Sequence, residues 1–210
     1  MRGLKSMHIW KVVDMPTKVH LVYSKLVLNI KTDTNRIPYK FKACFCTCGF
    51  SQKEGLDYME KFAPVVPHNA IQAVLVITAK FDWELNSFDM KQAYLNAKLE
   101  HDIYLKPPEG TNVLLGKVYK LVKSLYSLKQ FLREWYKELD SHLRGTGNNQ
   151  VVILVYVNDM LIAAPQRSQV DAIKQAVVKK WKIEDNGSVK EFLKIKIMCD
   201  QENQTIDLDQ

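Results

Sequence analysis

Residues 151–165 read VVILVYVNDMLIAAP, an apolar run, a polar pair at Asn158 and Asp159, and a second apolar run. Two such runs around a short polar break predict a tight hairpin with the polar pair at its tip. Upstream, WELNSFDM at 83–90 reads as a short strand ending near Asp89. If these strands are neighbours in one sheet, the carboxylates of Asp89 and Asp159 converge. Hard cations such as Mg²⁺ take oxygen ligands, usually a couple of carboxylates plus substrate phosphates. Two such ions activate a hydroxyl and stabilise the leaving group of an in-line displacement. An aspartate at a strand end also serves as a turn former or helix cap, so the pattern alone leaves both roles open.

Working outward, LVYSKLVLNIK at 21–31 alternates polar and apolar residues and predicts a strand. TDTNRIP is a turn, and FKACFCTCGF is a second strand, so 21–50 reads as a long basic hairpin. A loop follows to the proline-marked boundary at Pro67. AIQAVLVITAKF from residue 70 has helical spacing, KQAYLNAKL at 91–99 fits a helix of two turns, and IYLKPPEG is a strand closed by Pro107, Pro108 and Gly110. LREWYKELDSHLR is amphipathic, with Leu132, Trp135, Tyr136, Leu139 and Leu143 on one stripe, and GTGNNQ breaks it. QRSQVDAIKQAVVKKW is helical; FLKIKIMCD and TIDLD are strands around a turn at QENQ. Hairpins mixed with helices predict an α+β fold.

The chain has 210 residues, 47% hydrophobic and 25% charged, an ordinary globular composition. No apolar run approaches the roughly 20 residues that span a bilayer, and the start lacks the apolar core of a signal peptide. The expectation is a soluble, intracellular protein without a membrane partner. The net charge of +7 is uneven: residues 1–53 hold 10 Lys/Arg against 2 Asp/Glu, and residues 54–210 hold 20 against 21. Such a basic lobe suggests a polyanionic partner, or a solvated lysine face. Cys44, Cys46 and Cys48 fall on one face of the expected strand. Their spacing is not that of a zinc site, and buried or chance cysteines are the alternative.

Several blocks resemble one family. YVND within apolar runs resembles the tyrosine-X-aspartate-aspartate hairpin of reverse transcriptases. SFDMKQAYLNAKLEHDIYLKPPEG resembles the palm segment of copia-type long-terminal-repeat retrotransposons. So do GFSQKEGLDYMEKFAPVV, SLYSLKQFLREWY and WKIEDNGSVKEFLKIKI, in family order and over nearly the whole chain. The resemblance implies an RNA-directed DNA polymerase of right-hand shape. Fingers are expected at 1–68 and palm at 69–210, with a fingers-like insertion near 107–131. It further implies an antiparallel palm sheet with helices on one side and a thumb largely absent. Asp89 and Asp159 match metal-binding aspartates, and Asn158 with Asp159 falls on the hairpin's paired aspartates, so the implied catalytic set is Asp89, Asn158 and Asp159. The implied cofactor is Mg²⁺ or Mn²⁺. Tyr94 matches the aromatic gate beside the sugar of the incoming nucleotide, and Gln130 a glutamine near the nucleotide. Lys25 and Lys42 match the basic fingers hairpin that neutralises phosphates, and Tyr156 lies near the primer end or packs in the core. Implied partners are an RNA or DNA template-primer duplex and deoxynucleoside triphosphates. The implied location is cytoplasmic or nuclear, inside a virus-like particle in an intact element. No oligomeric state follows.

The sequence also departs from the family. Asn158 replaces the aspartate of the pair that ligates metal; Cys44 and Cys48 replace an arginine and a lysine; Ser127 and Lys194 replace glycines; Phe131 replaces an alanine. The stretch between His142 and Val151 is short for the family, which carries a further strand there. Basic residues from Lys117 to Lys137 are expected along nucleic acid. These lesions leave two functional expectations: an impaired polymerase, or a non-catalytic nucleic-acid-binding remnant or inactive pseudogene product.

Overall fold

The computed structural model describes residues 4, 7–91, 93–144, 151–200 and 205–209, apart from the side chain of Tyr94. In chain order the strands are β1 (Trp10–Asp14), β2 (Leu21–Val22), β3 (Ser24–Thr32), β4 (Pro38–Thr47), β5 (Glu84–Met90), β6 (Tyr104–Leu105) and β7 (Lys117–Leu121). They continue with β8 (Val152–Tyr156), β9 (Asp159–Ala164), β10 (Ile183–Ser188), β11 (Glu191–Phe192), β12 (Ile195–Asp200) and β13 (Thr205–Asp209). The helices are α1 (His68–Phe81), α2 (Phe131–Leu143) and α3 (Arg167–Lys180). The fold is α+β, as expected. Residues 1–63 with 94–136 form one compact unit, and residues 64–93 with 137–210 form the other. The first unit thus gathers two stretches of chain, separated by residues 64–93 of the second.

In the first unit the sheet order is β1-β7-β6-β2. Its core gathers Ile9, Trp10, Val22, Phe45, Leu95, Ile103, Leu105, Tyr119, Leu121, Leu125 and Leu128. Trp10 is the aromatic hub, with ring centroids 5.1 Å from both Phe45 and Tyr119. The hairpin β3–β4 is a separate two-stranded ribbon, closed at a turn where the Asp33 carboxylate accepts the backbone N–H groups of Asn35 and Ile37. The expected two-turn helix over 91–99 is absent; Ala93–Asn96 makes a short 3-10 turn. The reason is long-range pairing. Ser124 N–H donates to the Ala97 carbonyl and Lys98 bridges Lys123, so the backbone beyond Asn96 is committed elsewhere.

In the second unit an antiparallel sheet runs β10-β5-β9-β8. Helices on one side were expected, and both faces are covered. Ile71, Val74 and Leu75 of α1 pack on Leu85, Leu154, Leu161 and Ala163. Lys174 of α3 reaches Asn86, which alternation places on the opposite face from Leu85. The cause is legible in β9, where every residue from Met160 to Ala164 is buried: a strand apolar on both sides needs a cover on each. Strands β11, β12 and β13 form a separate three-stranded sheet whose Phe192 and Ile197 join the α1 face. The turn QENQ between the last two strands lies outside the described residues.

The two positions where glycine was expected both carry left-handed backbone: Ser127 has φ 69° and Lys194 has φ 68°. Leu193 and Lys194, both at positive φ, form the two-residue loop between the paired Phe192 and Ile195. That geometry favours Asn-Gly, because a side chain in this region costs about 1–2 kcal/mol. Lys194→Gly is therefore expected to stabilise the chain by about 1 kcal/mol, read as a higher midpoint in urea at unchanged slope. Ser127 is held against Gly49, where an added Cβ would stand 2.3 Å from the Ser127 carbonyl oxygen. Gly49 is thus required for close approach.

Candidate active site

Strand β5 carries Asp89 at its penultimate position, and β9 begins with Asp159. The two are direct register partners across the antiparallel pair. Direct partners point to the same face with Cα atoms about 4.5–5.5 Å apart. The two acids therefore stand side by side, the convergence the sequence suggested. Met90 N–H donates to the Asn158 carbonyl at 2.9 Å, pinning the hairpin tip to the end of β5. The loop is the pair Val157–Asn158, since Tyr156 and Asp159 are already paired. Val157 has φ 64°, a strained conformation for a β-branched residue and one that clusters at functional sites.

Asn158 turns toward the acids: its Nδ2 donates to Asp89 Oδ2 at 3.3 Å. The amide thus acts as a hydrogen-bond donor to one carboxylate where a third negative charge was expected. Asp159 is held above the ordinary carboxylate range, first by burial and second by the charge of Asp89. A dication between them would relieve that repulsion. Glu184 on β10 extends the row on the far side of Asp89, as its direct partner, and is paired with Lys91 at 3.2 Å. Nothing in the sequence marked Glu184, because its place depends on β10 pairing with β5. Tyr156, 38% exposed, is the partner of Asp159 on the other side. Beside Asp159 lies a cavity of about 610 Å³, lined among others by His68, Ser87, Tyr156, Leu193 and Lys194. Among the described residues, no group of three or more His, Cys, Asp or Glu is arranged to hold a metal. The donor set is two carboxylates and an amide, the oxygen-bearing groups that hard dications take.

The other expected residues lie in the first unit. Lys25 and Lys42 are exposed on the β3–β4 ribbon, without a carboxylate partner among the described residues. Tyr94 falls in the 3-10 turn, and its side chain lies outside the described residues. Gln130 is only 1% exposed, and its amide is spent within the protein. Its Oε1 accepts from Gln52 Nε2 at 3.0 Å and its Nε2 donates to the Asp57 carbonyl at 2.9 Å. Gln52 Oε1 in turn accepts Lys129 N–H, and Asp57 holds His20 and the Lys53 N–H. The GLDY loop and the SLKQ segment are thereby locked together. Gln130→Met is expected to cost about 1–3 kcal/mol by orphaning Gln52 and the Asp57 carbonyl, measured by denaturant unfolding.

Several expected phosphate-binding cations are used internally. Lys117 pairs Asp14 and Lys120 pairs Asp102, both at 2.6 Å, and Arg133 pairs Glu60 at 2.7 Å. Lys129 Nζ donates to Tyr58 Oη at 3.2 Å. Trp135, 2% exposed, is a core residue, as its helical spacing indicated, and Phe131 packs against the first unit's core. Cys44 and Cys46 line the same ribbon face as Lys25. Burial, then Cys44, pushes the Cys46 thiol up, against the ordering a reactive thiolate needs.

The family model described as reverse transcriptase (RNA-dependent DNA polymerase) matches residues 7–144 and 141–210. The chain belongs to the copia-type reverse transcriptases. It is 32% identical, over its whole length, to the retrovirus-related Pol polyprotein from transposon TNT 1-94 of Nicotiana tabacum. It is 29% identical over 90% of its length to that from transposon RE1 of Arabidopsis thaliana. It spans 17% and 14% of the length of these relatives. The family match falls in two segments that overlap at residues 141–144. In fold it is similar to telomerase from Candida albicans, solved with a fragment of telomeric RNA. The TM-score is 0.54 at 10% identity, covering 98% of this chain and 48% of that one.

Proposed function

We propose that this reverse transcriptase domain is built for two-metal nucleotidyl transfer and that Asn158 leaves it impaired. The observation that carries this reading is the direct pairing of Asp89 with Asp159 at the tip of an apolar hairpin. Both acids are assigned to Mg²⁺ or Mn²⁺, with Asn158 offering at most an uncharged oxygen. When bound, the two ions would activate the primer hydroxyl and steady the departing pyrophosphate. The cavity beside Asp159 has the volume of a small-molecule site and is assigned to the primer end, with Tyr156 at its rim. The unit holding Asp89 is read as palm and the unit holding the basic ribbon as fingers. Template-primer duplex and deoxynucleoside triphosphates are the partners, with Lys25 and Lys42 on phosphates and Tyr94 beside the sugar. Gln130 supports the nucleotide side through its hydrogen bonds to Gln52 and Asp57. No helix among the described residues is long and apolar enough to cross a membrane; the proposed setting is cytoplasmic or nuclear.

The test is Mg²⁺-dependent primer extension on a homopolymer template by the purified chain and its Asp89→Asn variant. Low incorporation that the variant abolishes is expected; incorporation surviving Asp89→Asn removes the reading. Asn158 favours a second reading, a nucleic-acid-binding remnant. Salt-sensitive duplex binding with no incorporation by any variant selects it.

A further inference from the structure

The ribbon β3–β4 sorts its residues by chemistry. Direct partners share a face. Leu26 with Phe45, Leu28 with Ala43 and Ile30 with Phe41 make one face; Lys25 with Cys46, Val27 with Cys44, Asn29 with Lys42 and Lys31 with Lys40 make the other. Only the base of the apolar face is covered: Phe45 is 1% exposed within the first unit's core. Beyond it the same face continues into solvent, with Leu28 and Phe41 each 77% exposed, Ile30 54% and Leu26 37%. Above the base, where Thr47 N–H donates to the Tyr126 carbonyl, the ribbon's outer edges carry no further strand among the described residues.

We propose that this apolar face is a self-association surface that seats the same face of a second copy of this chain. The charge layout selects that occupant. All four lysines lie on the opposite face, and no carboxylate accompanies them there. A polyanion would sit on the lysine face. A bilayer would need the lysines flanking the apolar band so that their heads could reach the lipid phosphates. A second ribbon needs neither: apolar meets apolar in an aligned two-sheet packing, and the lysines of both copies point outward without opposing each other. The contact is isologous, so one patch serves both partners. The exposed side chains offer on the order of 500 Å² per copy, about 1,000 Å² for the pair, which sits at the threshold of a specific interface. The association is therefore weak and concentration-dependent. It leaves both basic faces free, and it does not rest on the proposed reaction.

Sedimentation velocity of the intact chain, across the micromolar range and under reductant because all four cysteines are free thiols, tests this. A reversible dimer is expected. Leu28→Ser and Phe41→Ser should each raise its dissociation constant at least about tenfold without altering the far-ultraviolet circular dichroism. Lys40→Glu, on the opposite face, should leave the dimer in place. A chain monomeric throughout overturns the proposal, as does a dimer that survives both serine variants. Capture by anionic vesicles of a chain that stays monomeric would assign the face to lipid and overturn it too.

Discussion

Asn158→Asp is expected to raise Mg²⁺-dependent primer extension by about 10²–10³-fold, the range typical of one electrostatic stabiliser at a catalytic centre. Asp89 and Asp159 already face each other, and the backbone of position 158 is pinned by Met90. A carboxylate placed there needs no rearrangement of the hairpin to join them. What changes is charge. Asn158 now donates to Asp89; aspartate would withdraw that bond and bring a third negative group to a site where Asp159 is already pushed up by burial and by Asp89. Without a dication the variant should melt below the unaltered chain, and Mg²⁺ or Mn²⁺ should raise its melting temperature more than it raises that of the parent. Protons compete with the metal, and the raised Asp159 makes that competition begin at a higher pH than for a free aspartate. Equal rates from the two proteins would show that the amide at position 158 is not what limits the reaction.

Lys174→Met is expected to lower the unfolding free energy by about 2–3 kcal/mol, chiefly by leaving buried polar groups without partners. Lys174, 6% exposed, donates to Asn86 Oδ1 at 3.0 Å and to Asp185 Oδ1 at 2.6 Å, tying α3 to β5 and β10. Asn86 is fully buried and its Nδ2 has no partner among the described residues, so without Lys174 the amide loses the bond its oxygen makes. Asp185 is half exposed and contributes less, since solvent screens it. Its carboxyl is lowered first by the Lys174 hydrogen bond, with help from the Gly187 N–H. That contribution is present above the unfolded carboxylate value near about 4 and is lost as pH falls through the lower folded value. The gap between parent and variant should therefore narrow in acid. Chemical denaturation at neutral and acid pH measures both. An unchanged gap would mean that Asp185 takes no part.

Alternation was enough to read the β3–β4 ribbon and paired apolar runs the β8–β9 hairpin, whereas the pairing of Asp89 with Asp159 was open until β5 was seen beside β9. Helices α1, α2 and α3 were visible from period and breakers such as Pro67. What the sequence hid depends on distant partners. Gln130 looked like a ligand-facing amide because nothing local shows that Gln52 and Asp57 consume it. Lys117 and Lys120 looked free because Asp14 and Asp102 lie on other segments. Glu184 was invisible until β10 met β5. The glycine departures at 127 and 194 were readable only by resemblance, and the backbone at both positions gives them a physical meaning.

Strand β8 ends its sheet, while β9, which begins with Asp159, is clasped by β5 on one flank and β8 on the other. The strand that carries Asp159 is thus held on both sides, and its place beside Asp89 does not depend on what lies beyond β8. Among the described residues β8 presents an open ladder to any passing strand, a second place besides the apolar ribbon where aggregation on storage can start.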